Sequence, residues 1–177
     1  MSEFEQPLTS LVSIGLVNPK SATNVAAVLR ACGCYGANSI FYTGERYRHA
    51  KAFHADTQNW HRRIPAIGVD DLLAMKPSGA KVVVIELVED ATALPLYEHP
   101  DNAFYILGPE DGSVPQSIID AADDVVYIPT FNSMNLAATA NVVLYDRLSK
   151  RQLDTSNELI LRSRDRNNNT VRKAAQD

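Results

Sequence analysis

A chain of 177 residues, 45% of them apolar, is long enough to enclose one hydrophobic core and too short for two full domains. Its formal charge of −4 excludes nucleic-acid binding through overall positive charge, so a polyanionic partner has to meet a local basic patch. No apolar run approaches the ~18 residues of a membrane span, and the start MSEFEQPLTS carries acids where a secretory signal has basic residues, so a soluble, cytoplasmic protein is expected.

Leu11 to Leu16 reads as a short buried strand. It runs through Val17-Asn18-Pro19-Lys20 into a helix from about Asn24 to Tyr35, apolar at Val25, Val28, Leu29 and Cys32. Cys32 and Cys34, one residue apart on that helix, diverge and are read as reduced packing residues. Gly36-Ala37-Asn38-Ser39 closes the helix and Ser39 to Thr43 is a second strand. Gly44 to Arg63 is a polar, aromatic-bearing excursion, more like a binding loop than a core element. A short helix is expected over Asp70–Met75, strands over Lys81–Leu87 and Ala103–Leu107, a helix over Pro115–Ala122, a strand over Asp124–Ile128 and a long helix over Asn135–Leu148. This alternation predicts an α/β fold, a mostly parallel sheet with helices on both faces. Residues 1–150 form the domain; 151–177, with Arg162, Arg164, Arg166, Arg172 and Lys173 around an asparagine run, are a basic tail, partly disordered or helical.

Neither a Gly-x-Gly-x-x-Gly fingerprint nor a phosphate-binding Gly-x-x-x-x-Gly-Lys-Ser/Thr loop occurs, which argues against a dinucleotide-dependent oxidoreductase. Three segments stand out instead. In the first, Asn18 to Arg30, Asn24 is either a functional amide or simply the helix cap, and Arg30 is either a phosphate clamp or a solvated surface arginine. The second, Leu107 to Pro115, leaves the carboxyl end of a buried strand, where open α/β sheets bind ligands; its glycines permit close approach or positive φ, as they do in any ordinary turn. The third, Ile128 to Ala140, offers Ser133 or Asn135 as the cap of a helix that starts with small residues.

Together these segments resemble the three ordered motifs of the SpoU/TrmH RNA ribose methyltransferases: Asn24-x-Ala26-Ala27-x-x-Arg30, Gly108-x-Glu110-x-Gly112, and Ile128-Pro129 followed by Ser133-Met134-Asn135-Leu136-Ala137. The resemblance spans about Ser13 to Leu148. It implies a C-terminal deep trefoil knot, a homodimer, and methyl transfer from S-adenosylmethionine to a ribose 2′-hydroxyl of tRNA or rRNA, with no metal. The catalytic positions it implies are Arg30, Asn24, Glu110, Asn135 and Ser133; Asn24 and Asn135 would orient Arg30, Glu110 or the substrate. The cofactor would be held at Leu87, Gly108, Ile128, Ser133 and Met134. Two positions depart from the family pattern: many relatives place the second glycine of the middle motif one residue after Gly112, and Ala26 stands where glycine or serine is frequent.

Arg46, Arg48, Lys51, Arg62 and Arg63, interleaved with Tyr47, Phe53 and Trp60, form the strongest local basic patch, which is either an RNA contact, with cations for phosphates and aromatic faces for unstacked bases, or a solvated loop whose aromatics fold back on the core. Its histidines, His49, His54 and His61, lack the spacing that would pair zinc ligands on a helix. Two other readings stay open at this level: an RNA-binding module of the same fold without catalysis, and a methyltransferase acting on a base nitrogen.

Overall fold

The computed structural model describes residues 10–47, 62–151, 154–164 and 171. Those residues form a seven-stranded sheet, paired in parallel throughout. In chain order the elements are β1 (Val12–Leu16), α1 (Ala22–Tyr35), β2 (Ser39–Tyr42), β3 (Ala66–Gly68), a 3-10 turn (Leu73–Met75), β4 (Lys81–Ile85), β5 (Thr92–Ala93), a second 3-10 turn (Leu94–Leu96), β6 (Ala103–Leu107), α2 (Gln116–Asp120), β7 (Asp124–Tyr127), α3 (Leu136–Ser149) and α4 (Asn157–Ser163). The strand order is β3-β2-β1-β6-β4-β7-β5.

The central strands β1, β4 and β6 are buried on both faces, which is why they read as nearly unbroken apolar runs. Side-chain alternation sorts them into two cores. On one face Ile14, Leu16, Ile40, Val83, Ile85, Tyr105 and Leu107 pack with Val25, Val28 and Leu29 of α1 and Ala140, Val143 and Leu144 of α3. On the other, Phe41, Val82, Val84, Phe104 and Ile106 meet Leu72 and Val114, with Ile118 and Ile119 of α2 against them. Each fully buried aliphatic or aromatic side chain contributes roughly 1.5–3 kcal/mol relative to exposure. Gly15 belongs to the second face for a steric reason: a Cβ there would stand 3.0 Å from the Phe104 ring and 3.1 Å from Ile106 Cγ1.

The helix ends follow local chemistry. Ser21, not Asn24, caps α1, its side chain accepting from the Asn24 N–H, and Gly36 closes the helix in the left-handed region at φ 76°. Asn135 caps α3, accepting from the N–H groups of Ala137 and Ala138. Of the two cysteines, Cys32 is buried and its thiol is pushed up to about 12 by burial, whereas Cys34 is exposed and does not pack as the sequence suggested. The 70–75 helix is only a 3-10 turn, the short strands β3 and β5 were not anticipated, and α4 stands within the basic tail, capped by Ser156. No helix of the described residues is long and apolar enough to cross a membrane.

Because every strand runs the same way, the loops after β1, β2, β4, β6 and β7 leave from one edge of the sheet. That edge carries all three sequence motifs.

Candidate active site

The β6 exit turns at Gly108, where a Cβ would meet Glu86 Oε2 and the Val114 N–H nitrogen at 3.2 Å. Close approach therefore sets this glycine. Beyond it, Glu110 reaches back to the β1 exit. Its Oε2 accepts from the Lys20 N–H at 2.8 Å, and its Oε1 accepts from the Ser21 N–H at 3.1 Å and from Asn24 Nδ2 at 2.8 Å. Asn24 in turn accepts at Oδ1 from Asn135 Nδ2, 3.1 Å away. Since Asn135 Oδ1 is already filled by the first turn of α3, its amide can point only one way, and it donates to Asn24. One chain of hydrogen bonds thus joins residues separated by as many as 111 positions.

Burial opposes ionisation of Glu110, but the Asn24 amide and the backbone N–H groups of Lys20 and Ser21 outweigh it and hold the carboxyl below its usual range. A carboxylate stabilised in this way is a poor proton acceptor and a good fixed point.

Beside this chain lies an open cavity of about 420 Å³, within the size range of small-molecule sites. Leu87, Gly108, Ile128, Ser133 and Met134, the positions expected to hold a cofactor, all line it. Glu110 and Asn135 line it too. Leu107 and Leu136 add apolar wall, and Thr130 and Thr139 add hydroxyls that sequence reading passed over. Glu86 was also missed. Its Oε1 accepts from the Leu87 N–H at 2.8 Å and its Oε2 from the Val114 N–H at 3.1 Å, so it ties the β4 exit to the β6 loop. The signal for it was available, since a carboxylate directly after an apolar parallel strand falls at the ligand-binding edge.

Arg30 stands apart. It is exposed on α1, outside the cavity lining, and makes no hydrogen bond or ion pair among the described residues. Of the partners expected for Asn24 and Asn135, it is Glu110 and not Arg30 that Asn24 meets, and Asn135 acts on it through Asn24. Of the basic patch, Arg62 and Arg63 are exposed ahead of β3, Arg46 is engaged with Asp111, and Arg48 and Lys51 lie outside the described residues.

Residues 11–145 match the model of the SpoU rRNA methylase family. A tRNA (guanosine(18)-2′-O)-methyltransferase of Aquifex aeolicus is 24% identical over 142 residues, which cover 76% of this chain and 67% of that protein. Among solved structures, the A. aeolicus TrmH/SpoU tRNA modifying enzyme superposes with a TM-score of 0.68 at 23% identity, covering 77% of this chain and 73% of that one. The SpoU methyltransferase AviRb of Streptomyces viridochromogenes, solved with AdoMet, gives a TM-score of 0.64 at 16% identity over 83% of this chain and 62% of the other. With the family match running from β1 into α3, through all three motifs and the loops that bring them together, the chain belongs to the SpoU methylase family.

Proposed function

We propose that this protein transfers a methyl group from S-adenosylmethionine to a ribose 2′-hydroxyl of tRNA or rRNA. The observation that carries this reading is the hydrogen-bond chain from Lys20 and Ser21 through Glu110 and Asn24 to Asn135, set at the mouth of a cavity lined by the family's cofactor positions. The cavity suits the methyl donor in its mix of surfaces: Leu87, Leu107 and Ile128 offer apolar contact for an adenine ring, while Ser133 and Thr139 offer hydroxyls. Gly108, whose missing Cβ makes room for Glu86 and the Val114 N–H, brings its backbone into the wall of the cavity. When bound, S-adenosylmethionine supplies an electrophilic methyl on a sulfonium.

The protein's part is positioning. Glu110, with both oxygens filled, organises the loops after β1 and β6, and Ser133 and Asn135 face the cavity from the third motif. Arg30, uncommitted within the described chain, holds an RNA phosphate and stabilises charge developing on the 2′-oxygen, whose proton is released to solvent because a guanidinium stays protonated. Arg62 and Arg63, with Arg48 and Lys51 of the same segment, supply further phosphate contacts, as does the basic tail from residue 151. A homodimer, a C-terminal trefoil knot and a cytoplasmic location belong to the same reading, on the strength of family membership.

The test is transfer of labelled methyl from S-adenosylmethionine to RNA from a strain lacking the gene, followed by nucleoside mapping. A labelled 2′-O-methylnucleoside is expected, and Arg30→Ala is expected to lower turnover about 100-fold or more with cofactor binding intact. Label on a base nitrogen, or no cofactor binding at all, overturns the proposal.

A further inference from the structure

The turn after β2, Gly44-Glu45-Arg46-Tyr47, carries an arginine that the sequence places among RNA contacts, yet its guanidinium is already occupied. Arg46 NH1 donates to Asp111 Oδ1 at 2.8 Å and Oδ2 at 2.9 Å. On its other side Nε donates to the Asn18 carbonyl oxygen at 3.1 Å, and NH2 donates to that same oxygen. Asn18 is itself a special position, in the left-handed region at φ 42°, with its N–H donated to Thr43 Oγ1 at 3.1 Å. Gly44, at φ 77°, passes so close that a Cβ would sit 2.1 Å from Asn18 Oδ1. The exits of β1 and β2 are thus built against each other, and Arg46 bolts both to the loop after β6.

We propose that the Arg46–Asp111 pair is a latch that sets the position of Glu110, with Arg46 a positioning residue for methyl transfer rather than a phosphate ligand. Asp111 is the immediate neighbour of Glu110, and Lys20, whose N–H binds Glu110, also brings its Nζ to 3.7 Å from Asp111 Oδ2. Two adjacent carboxylates at a site for a polyanion need compensation. Glu110 has N–H donors, and Asp111 has Arg46 and Lys20. With side chains 33% and 47% exposed, the pair adds little to global stability, so its effect falls on local geometry. Lysine cannot replace the arginine, because a single ammonium cannot hold a carboxylate and a carbonyl on opposite sides of a planar fork.

The test reads the latch directly, by amide hydrogen exchange of the full chain in Arg46→Ala, Arg46→Lys, Asp111→Ala and the Arg46→Ala/Asp111→Ala double variant. The Lys20 and Ser21 amides, which donate to Glu110, are expected to exchange about 10-fold faster in every variant, with the double no worse than either single. Amides of Phe104 to Ile106 serve as the unchanged reference. Unaltered exchange at Lys20 and Ser21 in Arg46→Ala, or recovery of wild-type exchange in Arg46→Lys, overturns the latch.

The kinetic consequence rests on the proposed methyl transfer. On the RNA substrate, Arg46→Ala should lower kcat about 10-fold with KM for RNA and its salt dependence little changed. A raised KM with a weaker salt dependence makes Arg46 a phosphate contact and also overturns the proposal. Should the wild-type protein methylate no RNA, the functional reading falls, while the exchange result still decides the latch.

Discussion

Glu110 is the residue on which the site turns. Its carboxylate accepts from two backbone N–H groups and one side-chain amide, and those bonds, working against partial burial, keep it ionised through neutral pH. Replacing it by glutamine removes an acceptor where three donors converge, leaving at least one of them unpaired. We expect Glu110→Gln to lower kcat at least about 10-fold while the melting temperature shifts by only a few degrees, measured by methyl transfer and calorimetry. Asn24 was legible in sequence as an important amide, but its occupation was not. An asparagine at the expected start of a helix is ordinarily read as its cap, and only the fold shows that Ser21 has taken that position and freed Asn24 to link Glu110 with Asn135. Arg30 shows the reverse. Its motif marked it, and the structure leaves it exposed without the expected protein partners.

Among the elements, α3 carries the heaviest double duty, since its cap Asn135 both starts the helix and steers Asn24. Asn135→Ala is expected to destabilise the fold by ~1 kcal/mol, the usual worth of a cap, measured by urea unfolding. Its loss of methyl transfer should exceed that of a cap variant at Ser156, which starts the remote α4. On β1, Gly15→Ala presses a methyl against Phe104 and Ile106, so a loss of ~1–3 kcal/mol is expected in the same measurement. The long apolar strands and the two 14-residue helices were readable because periodicity needs length to show itself. β3 and β5, three and two residues long, carry no period of their own; they exist because the edges of the sheet offer them unpaired backbone groups.

At the scale of the molecule, a partly buried polar cluster fastens α3 to the sheet away from the cavity. His99 bonds Tyr105 Oη at 2.6 Å and Asp146 Oδ2 at 2.8 Å, Arg147 donates to the carbonyls of Pro100 and Asp101, and Lys150 reaches Asp146 at 2.7 Å. Burial lowers the His99 pKa below its ordinary 6.5; the Asp146 carboxylate pulls it up, and Arg147 and Lys150 push it down again. The unfolded chain therefore binds the proton more readily. This contribution to stability is complete above about pH 6.5 and is lost as the pH falls from there toward the folded value. Unfolding free energy measured between pH 8 and pH 5 should fall, and His99→Gln should flatten that part of the profile. The sequence by itself determined the parallel α/β layering, since strands buried on both faces must be continuously apolar, and it marked the three motifs, since their residue types and order survive without coordinates. Only the tertiary structure decided which groups meet. Hydrogen bonds between residues 28 to 86 positions apart depend on loops brought to one edge of a sheet, so Glu110 found Asn24, Arg46 found Asp111 instead of standing free for RNA, and Glu86 joined the site through Val114. Backbone propensity acts over a few residues, whereas partner choice is settled by strand order and by the steric gaps that Gly15, Gly44 and Gly108 leave open.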